Sequence, residues 1–312
     1  MLLRVAHTTT YTYSPLLKNA LCRVRMTPAP SAQKVVWWDI SIDGADFEVG
    51  FEDHHRNQVQ LYSLHAGTTE VTIRCGGEVH TEDRGGIVDR QVGLVPIELY
   101  SRPTPLTTDP QAAAVTEEPE VVAAEGSLAR VHALNRVLHV HMAKELGREP
   151  RLDDKSKPAP SAPSYATSSG ESTPFVHRFL ASVRHLGLPG RFVSGFVVDD
   201  DPPAESGQEE GPCASSHAWA EVWMSGLGWV GFDPVNAMCP NDGYIRGAVG
   251  VDGDDVLSMS GIETRNQTET TTISVLDEQS TPSAEGAQSA ASQQSAKGSQ
   301  SQSQTQVARQ QS

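Results

Sequence analysis

Three side chains that lie far apart in the sequence have the types that acyl transfer requires. Ser172 lies near the start of a predicted helix, His217 lies in "SHAWAEVWM", and Asp233 lies in "GWVGFDP". A nucleophile at a helix start gains from the helix dipole and from free backbone N–H groups, which can hold a developing oxyanion. A base on one strand and an orienting carboxylate on the next complete such a site. These three residues are the predicted catalytic residues.

The contact between base and carboxylate depends on the register of a predicted hairpin. Counting outward from a two-residue turn at 226–227 places Asp233 opposite Ala220 rather than opposite His217. A bulge or a diagonal contact is then needed to bring the two side chains together. Because the sequence does not fix the register, the His217–Asp233 contact is a hypothesis at this level.

Each of the three residues also has a structural interpretation. A Ser or Thr at a helix start is ordinarily an N-cap, and Thr173 followed by Pro174 fits a cap with proline at the first helical position. Ser172 is therefore either a nucleophile or part of a cap. His217 alone would more often be a hydrogen-bonded core histidine. Asp233 precedes a proline and could simply begin a turn.

The elements that must position these residues follow from composition. Residues 1–105 contain Thr-, Val- and Tyr-rich segments with period-two alternation, such as "RVAHTTTYTY", which predict an antiparallel β domain. Residues 106–262, beginning in the proline-rich "YSRPTPLTTDPQ", are predicted to form an α+β core. Residues 263–312 contain no aromatic residue and are dominated by Ser, Gln, Thr and Ala, so they are predicted to be a disordered tail.

Two helices are predicted in the core. Apolar residues recur every three or four positions in the first helix, which is followed by Gly147: Leu128, Val131, Leu134, Leu138, Met142 and Leu146. The second helix is predicted from about Thr173 to Leu186. Two strands and a hairpin are expected to complete this core.

Charge and composition exclude several classes of protein. Lys and Arg number 24 against 39 Asp and Glu, giving a net charge of -15, and no basic cluster is present that would bind a phosphate backbone. Nucleic acid is therefore not an expected partner. The N-terminus becomes polar by its seventh residue and no apolar run approaches a membrane span, so we expect a cytoplasmic protein without a membrane partner.

The remaining reactive residues give no second site. Cys22, Cys75, Cys213 and Cys239 form no C-x-x-C pair, and Cys213 follows an acidic segment that would disfavour a thiolate. We interpret "DHHR" at 53–56 as a hairpin turn. The histidines of "HVH" at 139–141 point to different sides of a helix. The sequence therefore predicts neither a metal site nor a cofactor.

Several motifs resemble the transglutaminase-like superfamily, whose members have a papain-like fold with a Cys, His, Asp triad. The resemblance rests on "GLPGRFVSGF", "SHAWAEVW" and "GWVGFDPVN", and on "VAHTTTYTYSP" and "DHHRNQV", which are similar to the β-rich region preceding this core in a bacterial branch. It covers roughly residues 1–262. By this resemblance His217 and Asp233 take the places of the family's histidine and aspartate.

The same resemblance places a serine where the family has its cysteine. The expected G-x-C motif reads Gly170, Glu171, Ser172, and the following Thr173 and Pro174 also depart from the family pattern. One interpretation is a weakly active or inactive relative whose cleft binds a peptide or protein. The alternative is a serine-variant amidase, peptidase or acyltransferase that acts through Ser172. The sequence leaves both open.

Overall fold

Strands are the most abundant regular element in the part of the chain that the computed structural model describes, which is residues 1–13, 20–89, 94–147, 150, 169–199, 213–261 and 266–276. The strands in chain order are β1 (Leu2–Thr12), β2 (Leu21–Val24), β3 (Gln33–Asp43), β4 (Ala45–Glu52), β5 (Gln58–Leu64), β6 (Glu70–Thr81), β7 (Gly190–Asp199), β8 (Cys213–Met224), β9 (Gly228–Phe232), β10 (Tyr244–Gly250), β11 (Met259–Ser260) and β12 (Asn266–Leu276). The strand-rich character predicted for residues 1–105 is confirmed.

The helices lie between β6 and β7. They are α1 (Ala112–Thr116), α2 (Pro119–Ala123), α3 (Ser127–Glu145) and α4 (Ser169–His185). Short 3-10 helices cover Ile97–Ser101, Pro105–Thr107 and Gly253–Val256. The apolar periodicity therefore predicted α3 correctly, including its end before Gly147, which adopts a positive φ of 63°.

Two sheets organise the described strands. One sheet has eight strands in the order β10-β7-β8-β12-β1-β6-β3, with β9 paired to β8, and the other has four strands in the order β11-β2-β5-β4. The larger sheet combines β1, β3 and β6 with strands from the predicted core. The chain from Met1 to Val275 accordingly forms one compact unit, so residue 105 is not a boundary between separate sheets.

The side chains of β8 alternate between two faces of the sheet, and only one of these faces packs against the helices. Ala218, Ala220 and Val222 belong to the apolar core that also contains residues of α3 and α4, among them Leu134 and Phe179. Because successive side chains of a strand point to opposite faces, the odd-numbered positions of β8, from 217 to 221, face away from the helices. The base predicted from the sequence lies on that second face.

A buried ion cluster lies on the same face of β8, four residues beyond the histidine. Glu221 accepts hydrogen bonds from Arg191 Nε at 2.6 Å and from Arg246 Nε at 2.7 Å. Burial alone would raise the pKa of Glu221, but the two guanidinium charges lower it below its ordinary value. The Arg191 guanidinium also stacks on Trp229 at 4.0 Å. This cluster connects β7, β8, β9 and β10.

Helix α4 begins earlier than the sequence predicts. Its first residue is Ser169 rather than Thr173, and Pro174 lies inside the helix instead of at its first position. Pro174 has a φ compatible with a helix but gives up one backbone hydrogen bond, so it favours a helix start without requiring one. Ser172 therefore lies in the first turn of α4, where backbone N–H groups have no intrahelical acceptor.

The predicted disordered tail begins too early. Residues 266–276 form β12, which lies between β8 and β1 in the larger sheet. Their sequence, "NQTETTTISVL", is rich in β-branched residues that favour strands, and Ile273 is buried. The composition of the whole segment from 263 to 312 obscures this short stretch. Residues 277–312 lie outside the described part of the chain.

Candidate active site

The hairpin of β8 and β9 has a register different from the one counted on the sequence. Met224 pairs with Gly228 and Ala220 pairs with Phe232, which leaves a three-residue loop, Ser225 to Leu227. Gly226 and Gly228 adopt φ values of 84° and 93°, a conformation that glycine reaches without strain. The two-residue turn assumed on the sequence was therefore wrong by one residue.

This one-residue difference places the carboxylate on the same face as the base. Asp233 follows Phe232, so it continues the strand opposite Trp219, which is two residues from His217 and shares its face. His217 Nε2 and Asp233 Oδ2 are 2.7 Å apart, and both side chains are fully buried. The diagonal contact that the sequence left as a hypothesis is present.

The carboxylate of Asp233 is held from several directions. Oδ1 accepts hydrogen bonds from the backbone N–H groups of Val235 at 2.8 Å and Asn236 at 3.2 Å. Oδ2 accepts from Asn236 Nδ2 at 2.7 Å and from the Tyr244 hydroxyl at 2.8 Å, besides His217. Burial alone would raise the pKa of Asp233, but the charge of His217 and these hydrogen bonds lower it below its ordinary value. The carboxylate is therefore ionised near neutral pH.

Asn236 and Tyr244 are site residues that sequence reasoning missed. Asn236 lies three residues after Asp233, a spacing at which a turn brings an amide back to the preceding carboxylate, and this signal could have been used. Tyr244 lies on the neighbouring β10, and nothing in its local sequence indicates the contact. Burial first, and then the charge of Asp233, raise the pKa of Tyr244 well above its ordinary value, so its hydroxyl remains a donor.

The imidazole of His217 is enclosed by aromatic rings. Trp219 stacks beside it at 6.3 Å between ring centroids, and the Tyr244 ring lies at 6.1 Å. Nε2 is bonded to Asp233. Within the described part of the chain, the buried Nδ1 has no hydrogen-bond partner. Nδ1 is therefore the nitrogen that remains available to exchange a proton.

Ser172 is also fully buried, and its hydroxyl contacts the strand that carries the base. The backbone N–H of Ala218, the residue after His217, donates a hydrogen bond of 3.1 Å to Ser172 Oγ. The structure thus brings His217 and Asp233 into contact, and it places the Ser172 hydroxyl of α4 against the backbone of β8 next to His217. The Ser172 oxygen accepts from the backbone.

Helix α4 is fixed in place by contacts beyond Ser172. His177 Nε2 accepts a hydrogen bond of 3.0 Å from the N–H of Gly253, in the 3-10 helix after β10. Burial lowers the pKa of His177, which agrees with a neutral ring that accepts this bond. Near the other end of α4, Arg184 donates to the carbonyls of Tyr100 at 3.0 Å and Gly190 at 2.9 Å.

The other residues considered on the sequence have structural surroundings or lie outside the description. Asp53 Oδ1 accepts from the N–H groups of His55 and Asn57, which confirms a turn at this motif. His139 is buried, with Nδ1 2.8 Å from the Val235 carbonyl. The backbone of Cys213 begins β8, but its side chain is not described. No metal-binding group of His, Cys, Asp and Glu is found among the described residues.

Family models match both parts of the chain. Residues 3–80 match the bacterial transglutaminase-like N-terminal region, and residues 120–234 match the transglutaminase-like superfamily. The second match includes all three predicted site residues. Residues 120–234 are therefore similar to the transglutaminase-like core, and residues 3–80 are similar to the N-terminal region that accompanies it in bacteria.

The sequence relatives are proteins without an assigned activity. An uncharacterised protein of Mycobacterium leprae is 27% identical over 268 residues, which cover 83% of this chain and 92% of the relative. An uncharacterised protein of Mycobacterium tuberculosis H37Rv is 33% identical over 92 residues, or 28% of this chain and 29% of the relative. These relatives do not indicate a substrate.

A solved structure shares the fold over most of the length. It is a protein of Cytophaga hutchinsonii proposed to be a cysteine protease, with a TM-score of 0.58 and 17% identity, covering 89% of this chain and 92% of that chain. At this identity the likeness supports the fold alone. The papain-like, transglutaminase-like core predicted from the sequence is confirmed. In the described part of the chain, no helix has the length and apolar content of a membrane span.

Proposed function

We propose that this transglutaminase-like protein has serine in the place of the nucleophilic cysteine, that its acyl-transfer activity is weak or absent, and that its cleft binds a peptide or protein segment. The observation that supports this most directly is the contrast between two atoms. Ser172 Oγ accepts from the N–H of Ala218, whereas the buried Nδ1 of His217 has no hydrogen-bond partner among the described residues.

A serine nucleophile needs a bond that this arrangement lacks. A hydroxyl does not ionise near neutral pH, so it must pass its proton to the histidine during attack, which requires a direct hydrogen bond. A thiol differs because it can ionise beside a histidine at a helix N-terminus and then needs only an ion pair. In His217, Nε2 is bonded to Asp233 and Nδ1 has no hydrogen-bond partner among the described residues. This arrangement suits an ion pair with a thiolate better than proton transfer from a hydroxyl.

The residues around His217 would support acyl transfer by a thiol at position 172. The Asp233 carboxylate would hold the imidazole in orientation and stabilise its protonated form, which is the role of the third residue in such triads. Backbone N–H groups in the first turn of α4 would face a developing oxyanion. In this proposal, serine at residue 172 is the main cause of the reduced acyl-transfer activity.

Restoring the thiol tests the proposal. We expect Ser172→Cys to react with iodoacetamide near neutral pH and to hydrolyse or transamidate peptide amides at least about 100-fold faster than the natural protein, a factor comparable to that lost by a misplaced nucleophile. Ser172→Cys combined with His217→Ala is the matched control, because it keeps the thiol but removes the base. An inert, folded Ser172→Cys protein would contradict the proposal.

A serine-reactive phosphonate distinguishes the alternative function. If the natural protein is labelled at Ser172, and labelling disappears in His217→Ala, the protein is an active serine-variant acyl-transfer enzyme instead. We expect no labelling, because the hydroxyl is not hydrogen-bonded to Nδ1. Peptide binding is tested separately by panning a peptide library against Ser172→Ala, with Thr173→Trp, at the half-buried position next to it, as a variant that obstructs the site. Equal recovery from both proteins would argue against cleft binding.

A further inference from the structure

Strand β4 presents an unpaired edge far along the chain from the site. It is the end strand of the four-stranded sheet, and within the described residues it pairs only with β5. Residues 46–52 are all exposed. Phe47, Val49 and Phe51 leave 57%, 47% and 43% of their surface in solvent. An edge of this kind offers unpaired backbone N–H and C=O groups to another strand.

The register of β4 turns part of its apolar surface outward. Val49 lies opposite Leu61 of β5, whereas the next residue of β5, Tyr62, belongs to the buried core. Since opposite residues share a face, Val49 lies on the outer face of the sheet, whereas Phe51 lies opposite Val59, which is buried although Phe51 itself is exposed. Leu21 of β2 is 54% exposed and pairs with Ser63, which places it on this same face. The edge therefore adjoins an apolar outer surface.

Acidic residues alternate with the apolar ones along β4. Asp46, Glu48 and Glu52 are exposed, and the strand sequence "ADFEVGFE" contains no Lys or Arg. Ser63, a neutral donor, contacts Glu48 at 2.5 Å and leaves the Glu48 charge uncompensated. Asp46, in contrast, lies 3.1 Å from His65 Nε2. A strand added beside β4 would meet carboxylates and apolar side chains in turn.

The same charges disfavour pairing with a second copy of the chain. In a two-fold antiparallel arrangement centred on Val49, Asp46 of one copy would lie opposite Glu52 of the other. Like charges directly opposite one another destabilise a strand pair. Lysine or arginine on the incoming strand would instead form favourable cross-strand pairs. Charge complementarity therefore favours a basic partner strand over self-association.

We propose that the β4 edge binds an extended segment of another protein in which basic and apolar side chains alternate. The segment adds to the four-stranded sheet as a new end strand, with backbone hydrogen bonds supplying affinity and the side chains supplying selectivity. Its basic residues pair with Glu48 and Glu52, and its apolar residues cover Val49 and Phe51. This surface does not include any residue of the Ser172 site, so it is independent of the proposed function.

A model peptide gives a direct test. The probe is an end-blocked peptide of about seven residues with alternating Lys and Val, a typical strand length, and its control has Glu in place of Lys. We expect saturable binding of the Lys peptide by calorimetry, protection of β4 amides from hydrogen exchange, and weaker binding at high salt. Equal binding of the Glu peptide would overturn the proposal.

Charge reversals locate the site. Glu48→Lys with Glu52→Lys is expected to weaken Lys-peptide binding about tenfold or more, since two cross-strand pairs become repulsive. Glu117→Lys with Glu125→Lys makes the same change of net charge at exposed positions elsewhere, and should leave affinity unchanged. Phe51→Ser is a second, uncharged variant in case the first does not fold. Undiminished binding by folded β4 variants, or β4 protection that arises from self-association without peptide, would overturn the proposal.

Discussion

The carboxylate end of the site and its hydroxyl end are held by the fold in different ways. Asp233 accepts hydrogen bonds from Val235, Asn236, Tyr244 and His217, and both of its oxygens are used. Ser172 Oγ accepts from the Ala218 N–H of β8, and the helix that carries it is also held by the contact between His177 and Gly253. Replacing the carboxylate would remove the acceptor of several buried donors, whereas replacing the hydroxyl would remove the acceptor of the Ala218 N–H.

The hydrogen bonds around Asp233 bear on how the contact between His217 and Asp233 is interpreted. A side chain on which several buried donors depend is difficult to change without loss of stability. The presence of His217 and Asp233 is therefore not in itself evidence of catalysis, because the pair also provides hydrogen bonds to buried polar groups. Stability measurements on each half separate these contributions.

The largest effect is expected from Asp233→Ala. It leaves the buried Tyr244 hydroxyl, the Asn236 amide and the His217 ring without their acceptor, and we expect a loss of about 3–5 kcal/mol in the free energy of unfolding. Denaturant titration measures this loss. Asp254→Ala, at an exposed carboxylate, is the control and should cost less than about 0.5 kcal/mol. Similar losses in the free energy of unfolding for the two variants would show that the hydrogen bonds around Asp233 do not stabilise the fold.

A smaller effect is expected from Ser172→Ala. The variant removes the acceptor of the buried Ala218 N–H, and we expect a loss of about 1–3 kcal/mol in the free energy of unfolding. Ser182→Ala on the same helix is a suitable reference, because that hydroxyl only donates to the carbonyl of Arg178. If Ser172→Ala cost as much as Asp233→Ala, the hydroxyl end would be as tightly integrated as the carboxylate end.

Tyr244→Phe is expected to cost about 1 kcal/mol in the free energy of unfolding. The variant deletes one donor to Asp233 Oδ2, but His217 and Asn236 continue to bond to that oxygen. Denaturant titration alongside Asp233→Ala measures how much of the network depends on this hydroxyl. In the double variant the two losses should not add, because both residues belong to one network. Additive losses would show that Tyr244 acts independently.

The smallest effect is a difference in pH dependence between the two ends. Because the folded-state pKa of His177 is lowered from 6.5, the unfolded chain binds more protons, and stability falls as the pH decreases below 6.5. The Asp233 carboxylate contributes stability that is lost only below its ordinary pKa of 3.8. His177→Gln keeps an acceptor for Gly253 without titrating, so the slope of stability between about pH 7.5 and 5.5 should decrease.

The matched control for this experiment is His185→Gln, at a position in the last turn of α4. His7 and His132, whose pKa values burial also lowers, leave a residual slope in every variant. An unchanged slope in His177→Gln would show that the Gly253 contact does not depend on a neutral ring.

The sequence predicted the main elements because each has a local signal. The apolar repeat of α3 and the alternation in β1 follow from the periods of helices and strands. Ser172, His217 and Asp233 stood out by residue type and motif. The register of β8 and β9 was wrong because a three-residue loop with glycines at 226 and 228 is not distinguishable from a two-residue turn by counting.

Contacts between distant segments could not be predicted from the sequence, for a different reason. Tyr244 reaches Asp233 from another strand, and Glu221 pairs with Arg191 and Arg246 across three strands. Such contacts depend on strand order, which local sequence does not encode. Composition similarly hid β12, because a short stretch of β-branched residues was averaged with the polar segment that follows it.

The position of β12 has a practical consequence for anyone who shortens the chain. A protein that stops at residue 262, where the core was predicted to end, would lack the strand that lies between β8 and β1. Both of those strands would then have unpaired backbone groups along one edge, and the core cluster that contains Ile273 would lose that side chain. Such a truncated protein should aggregate on expression, and ending it after Leu276 should restore solubility.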